Sequence, residues 1–235
     1  GAPAEVATVG STFVSTSTGA SNNTDATVLY DNGTIVNSPG TGPGGSDESV
    51  IPAGGSSYGF SMAQTGGFSV ADDFVVVANM TISQLAVQGY QTGSPTTSSF
   101  TGLYARIYNG DPSAGGTVIW GDLTTNLMTE TNFSNIYRVN APGEGTQRPV
   151  MNIIASGLNI ALTPGTYWIE YSAAGTVASG PWVPNVEGSG NAIQWIGTGW
   201  QDLVNPGGVG VPFILSGGGA SAGNLLSYNL YRDDV

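Results

Sequence analysis

The chain has 235 residues, of which 37 are glycine and 13 proline, so that about a fifth of it is turn-forming and a helical bundle is disfavoured. Apolar residues make up 40%, enough for a core, whereas charged residues make up only 9%, so Ser, Thr, Asn and Gly must carry solubility. Four arginines against sixteen acidic residues give a net charge of -12 with no lysine, cysteine or histidine, which argues against nucleic-acid or anionic-membrane partners, disulfides, thiol or histidine-assisted catalysis and ordinary zinc sites.

In chain order, a Ser/Thr-rich segment at 6–18 carries Val6, Val9, Phe13 and Val14. Strand patterns follow at 27–30, 74–77, 82–90, 102–108, 117–120, 135–139, 151–160, 165–171, 193–196 and 212–215, punctuated by Gly, Pro, Asn and Ser. Within 102–108, alternation sends Leu103, Ala105 and Ile107 to one face as core and Tyr104, Arg106 and Tyr108 to the other. Within 82–90 the alternation breaks, and a bulge near residues 83–85 would restore one apolar face. The segment 122–130 comes closest to helical spacing, through Leu123, Leu127 and Met128, but reads as a loop. Two Gly-rich stretches, 32–60 and 207–223, contain enough apolar residues to read as ordered surface loops. The last twelve residues carry Leu225, Leu226, Tyr228, Leu230 and Tyr231, with Tyr228 and Leu230 on one face of a final strand. The fold expected is one all-β domain, a two-sheet, jelly-roll-like β-sandwich, with 1–26 and 218–235 as strand-like extensions suited to strand exchange or to serving as ordinary terminal strands. No run of 18 apolar residues predicts a membrane insertion, and a start at Gly1 suits a processed precursor or a tag remnant.

Six motifs, VLYDNG at 28–33, VADDF at 70–74, GYQTG at 89–93, SSFTG at 98–102, ARIYNGDP at 105–112 and TPGTYWIEY at 163–171, together resemble a β-sandwich domain of bacterial secreted and cell-surface proteins. SGPWVP at 179–184 and VPFILSG at 211–217 resemble its closing section. The resemblance spans about four fifths of the chain, implies an exported β-sandwich, and supplies no catalytic residues. The segments before residue 27 and after residue 217 fall outside it, as strands added for assembly would.

Asp72 and Asp73 sit beside apolar residues, where alternation turns one carboxylate outward, and Asp111 lies in the turn NGDPSAGG. Such carboxylates suit either turn-capping bonds to backbone N–H groups or Ca²⁺ coordination, although no EF-hand spacing is present and no cofactor is required. Asp31 reads as a turn residue. Glu170, within YWIEY, would face outward if Tyr167, Ile169 and Tyr171 face the core. No pair of carboxylates shows glycosidase spacing. Trp182 and Trp200, in Gly/Pro-bounded loops, suit either a sugar-stacking platform or loop plugs, whereas Trp168 and Trp195 suit packing within the fold. Sequons place candidate glycosylation at Asn22, Asn32, Asn79 and Asn132. These observations lead to the expectation of a non-enzymatic extracellular or cell-surface subunit that polymerises with copies of itself by strand donation. The alternative is a module binding surface polysaccharide.

Overall fold

The computed structural model describes residues 27–186 and 190–219. Val6, Val9, Phe13, Val14, Asn22, Tyr228 and Leu230 lie outside the described residues.

The described strands are, in order, β1 (Thr27–Asp31), β2 (Asp47–Val50), β3 (Phe60–Ser61), β4 (Ser69–Val76), β5 (Met80–Tyr90), β6 (Phe100–Tyr108) and β7 (Val118–Asp122). They continue with β8 (Glu130–Val139), β9 (Pro149–Leu162), β10 (Gly165–Gly175), β11 (Trp182–Val183), β12 (Ile193–Trp195), β13 (Trp200–Asp202) and β14 (Phe213–Gly219). The strands form two packed sheets. The larger has the order β1-β14-β5-β9-β8-β2 with β3 and β11 attached beside β5, and the smaller has the order β13-β12-β4-β10-β6-β7. The quartets β1-β14-β5-β9 and β4-β10-β6-β7 place strands that are distant in sequence side by side, the jelly-roll arrangement.

Each of the ten strand patterns between residues 27 and 215 coincides with an observed strand, while the final strand expected at 227–231 lies outside the described residues. The strands that alternation missed, β2, β3, β11 and β13, are two to four residues long. β2 lies inside the first Gly-rich stretch and holds Asp47 and Glu48, so its polarity hides it. It pairs in parallel with β8, and Arg138, only 1% exposed, fastens it there. The guanidinium donates to the carbonyl of Tyr58 at 2.7 Å, to Ser49 Oγ at 2.9 Å and to Asn185 Oδ1 at 2.8 Å. Such multiple donation is what makes a buried arginine tolerable.

Leu103, Ala105 and Ile107 are completely buried, on the face alternation assigned them, in one core cluster with Leu85, Val87, Met151 and Ile153. Against β14, Ile82 and Gln84 of β5 pair with the consecutive residues Gly217 and Ser216, leaving Ser83 as one extra residue; this is the predicted bulge, and it turns both Ile82 and Leu85 inward. Gly217 of β14 crosses opposite Ile82 at that bulge, where a Cβ would lie 2.1 Å from the Thr81 carbonyl oxygen. No larger residue fits there without moving the strands apart. The segment 122–130 forms the end of β7, a loop and the start of β8.

Phe74 occupies the centre of an aromatic group, with ring centroids 5.8 Å from Tyr30, 5.8 Å from Tyr167 and 6.1 Å from Phe213. Phe74→Ala should therefore lower unfolding stability by about 3–5 kcal/mol, measured by urea denaturation, since it leaves a cavity between both sheets.

Candidate functional site

β1 is an outer strand of the larger sheet, and among the described residues it pairs with β14 alone. Antiparallel register sets Thr27 opposite Gly217, and β14 runs on to Gly219 opposite Met80. The chain therefore enters β1 and leaves β14 at the same end of the same edge. The two extensions outside the described residues are rooted side by side. Tyr30 closes this flank, its ring stacked on Phe213 at 5.5 Å.

The opposite flank is built differently. There β7 pairs only with β6 among the described residues, and β2 joins β8 only from Ile136 onward, so the first part of β8 is also an open edge. Trp120, opposite Ile107, and Phe133, opposite Met151, point inward by register. Both, with Leu127, Met128 and Leu158, pack on the core yet stay only partly buried. Beside them Val118 and Ile119 are 44% and 45% exposed. Asp122 pins the end of β7: its carboxylate accepts four bonds from the N–H and hydroxyl groups of Thr124 and Thr125, which hold its pKa far below the usual range.

The three carboxylates singled out as calcium ligands are not brought together. Asp72, opposite Ile169, faces into the sandwich and is 3% exposed, while strand alternation turns Asp73 outward. Asp111 accepts from Ser113 N and Ser113 Oγ, both at 2.7 Å, as a turn carboxylate does. Among the described residues no three His, Cys, Asp or Glu side chains gather in a metal-holding group. Asp72 instead links the two sheets: its Oδ2 accepts from Asn32 Nδ2 at 2.6 Å and from Val211 N at 3.0 Å, next to the strands β1 and β14. Burial pushes its carboxyl up from 3.8 to about 6, outweighing the pull of its N–H donors. Asp31 caps its own turn by accepting from Gly33 N at 2.9 Å.

Glu170 requires a correction to the outward, solvated position expected of it. It does lie on the outer face of the smaller sheet, opposite Ala71 and Arg106, but it is completely buried. Arg106 Nε donates to its Oε2 at 2.6 Å, and the hydroxyls of Tyr108 and Ser69 donate to it as well. Trp168, Ile193 and Tyr108 form a second apolar layer on this face, with Trp200 packed on it. A longer-range cover of this kind leaves no trace in strand alternation. Every oxygen of Glu170 that the network uses is committed to a neighbour, so its arrangement is that of an internal ion pair.

Trp182 and Trp200 do not share a platform. Trp182 packs on the Ile35, Tyr90 and Val150 cluster beside the larger sheet, and its Nε1 donates to Ser179 Oγ at 3.4 Å. Trp200 meets Trp195 edge-on, at 5.6 Å and 65°, which is no flat surface. Sequence reasoning missed a cleft of about 340 Å³ next to Trp168, where Asp111 and Asp202 stand with Asn191 and Ile193. Its walls come from segments remote in sequence.

Of the described sequons, Asn32 has both amide hydrogens donated, to Asp72 Oδ2 and to the Val211 carbonyl, so a glycan there would break an internal bond. Asn132 belongs to an amide row across the larger sheet: Gln88 donates to Asn152, Asn152 to Asn132, and Asn132 to Glu130. Asn79 is exposed in the turn between β4 and β5.

Asp72 makes stability depend on pH. Its folded-state pKa is raised, so the folded state holds the proton more tightly, and the stabilisation present below about pH 4 is lost as pH rises through about 6. The loss should reach roughly 3 kcal/mol by pH 7, from a shift of about two units. Asp72→Asn should remove that part of the difference between urea unfolding at pH 4 and at pH 7. Comparison of the chain with family models, with curated proteins and with solved structures gave no match.

Proposed function

We propose that the protein is a non-enzymatic structural or adhesive subunit of the extracellular space or cell surface, assembling head-to-tail into a filament by strand donation. The observation carrying this reading is the placement of the extensions: both leave from one edge, at Thr27 and Gly219, while the flank at β7 and β8 keeps open edges over partly covered core residues. A donated strand supplies main-chain hydrogen bonds to an open edge, and alternate side chains fill the groove and set register. Val6, Val9, Phe13 and Val14 in one extension, and Tyr228 and Leu230 in the other, are the residues able to fill it. Donor and acceptor on opposite flanks make a heterologous contact. Such a contact continues from copy to copy and builds a fibre. The charge-poor composition and the likeness to exported sandwich domains support the extracellular setting.

A second reading is favoured by the cleft beside Trp168. Its carboxylates and Asn191 offer hydrogen-bonding groups to sugar hydroxyls around an aromatic wall, so a short segment of surface polysaccharide is the ligand it suits. Calcium would serve here only as a stabiliser. A glycan array probed with calcium present and showing no binding would count against it.

Deletion of residues 1–18 and, separately, of residues 220–235 tests the leading reading by electron microscopy of negatively stained protein. At least one deletion should abolish filaments while leaving a folded monomer. Normal filaments from both variants would sink the strand-donation proposal.

A further inference from the structure

We infer that the groove between β7 and the first part of β8 is the acceptor, and that its occupant is the C-terminal segment 225–231 of a second copy of this chain. The inference rests on the strand-donation reading and names its two contacting surfaces.

Three observations carry it. The first is incompleteness at this flank: Trp120, Leu127, Met128, Phe133 and Leu158 pack on the core and remain partly uncovered, between two edges that lack a partner strand among the described residues. A second set of partly covered residues, Leu29, Tyr30, Met80 and Tyr167, lies on the other flank. That flank, however, is closed by stacked rings and is where the chain's own extensions begin.

The second is exposure. Val118 and Ile119 leave two adjacent branched side chains in solvent on an edge strand, an arrangement natural sheets usually avoid unless another strand pairs there; Val28 on β1, also exposed, stands instead beside the start of the chain's own N-terminal segment.

The third is the fit of the occupant. Alternation from 225 to 231 places Leu226, Tyr228 and Leu230 on one side and Leu225, Ser227, Asn229 and Tyr231 on the other, with no glycine or proline between them. The N-terminal candidate is broken at Gly10, which weakens a strand. Between Gly219 and Leu225 the chain spans at most about 20 Å. The way round to its own acceptor passes β5, β9 and β8, about 15 Å, and then turns into the gap between sheets about 10 Å apart. The segment therefore reaches a neighbour's groove more readily than its own.

The chain contains no cysteine, so engineered pairs report without background. Val118→Cys would be combined in turn with Ser227→Cys, Asn229→Cys and Tyr231→Cys in the full chain, oxidised during assembly and run on a non-reducing gel. A reducible ladder of dimers, trimers and longer species from at least one pair is expected. A disulfide-closed monomer alone would overturn the inference by showing that the segment completes its own subunit. Filaments without any cross-link would overturn the acceptor while leaving strand donation standing, whereas no filaments from the unmodified chain would remove both. Ile119→Asp should also cut filament yield at least tenfold, while Thr198→Asp, exposed in the turn between β12 and β13 at the end of the smaller sheet opposite β7, leaves it unchanged. Equal yields from the two would likewise overturn it.

Discussion

A sandwich of two open sheets has edges, and each edge carries unpaired N–H and C=O groups that must be shortened, covered or paired with something else. That constraint organises the molecule. At one end of the larger sheet, β2 is only four residues long and is fastened by the buried Arg138. At one end of the smaller sheet, β13 is three residues long and carries the half-buried Trp200. At β1 the core is sealed by Tyr30 against Phe213 and Phe74. Both edges expose aliphatic side chains, Val28 on β1 and Val118 and Ile119 on β7, but at β7 no ring seals the core, and Trp120 and Phe133 beneath it stay partly open. An edge left in this condition can accept a partner strand, which is why the proposed function turns on it.

Polar chemistry inside the sandwich serves to hold those edges in place. Asp72 spends a buried carboxylate on tying β4 to the residues that flank β1 and β14, and Tyr171 donates nearby to the Pro212 carbonyl at 3.1 Å. Burial raises the pKa of Tyr30 to about 12 and that of Tyr171 well above its usual value, so neither phenol ionises near neutrality. The root of both extensions is thereby fixed by hydrogen bonds as well as by packing. On the smaller sheet, Glu170 and Arg106 form an ion pair under an aromatic layer, where the two hydroxyl donors offset the cost of removing the carboxylate from water.

The outer surfaces of a chain with so few charges are covered by neutral polar groups. Amides from Gln88, Asn152 and Asn132 form a row across the larger sheet, and Gln84 meets Ser156 in the same manner. Neutral side chains that bond to one another present polar atoms to water without raising the repulsion between copies.

Much of the architecture was legible in the residues themselves. Period-two alternation identified the long strands and the core face of β6, and its failure in β5 located the bulge at Ser83 against β14, because a strand has only two faces and a single insertion exchanges them. Turn chemistry likewise announced Asp31 and Asp111. The short strands β2, β3, β11 and β13 escaped, since two to four residues carry too little pattern to read. What tertiary structure alone decided is which strands lie side by side and what covers their faces. It buried Glu170 under residues from β6, β10 and β12, turned Asp72 into a tie between sheets, separated Trp182 from Trp200, and set Thr27 and Gly219 at one edge with a half-covered groove at the other. Those outcomes depend on contacts between residues far apart along the chain, and local periodicity holds no information about them.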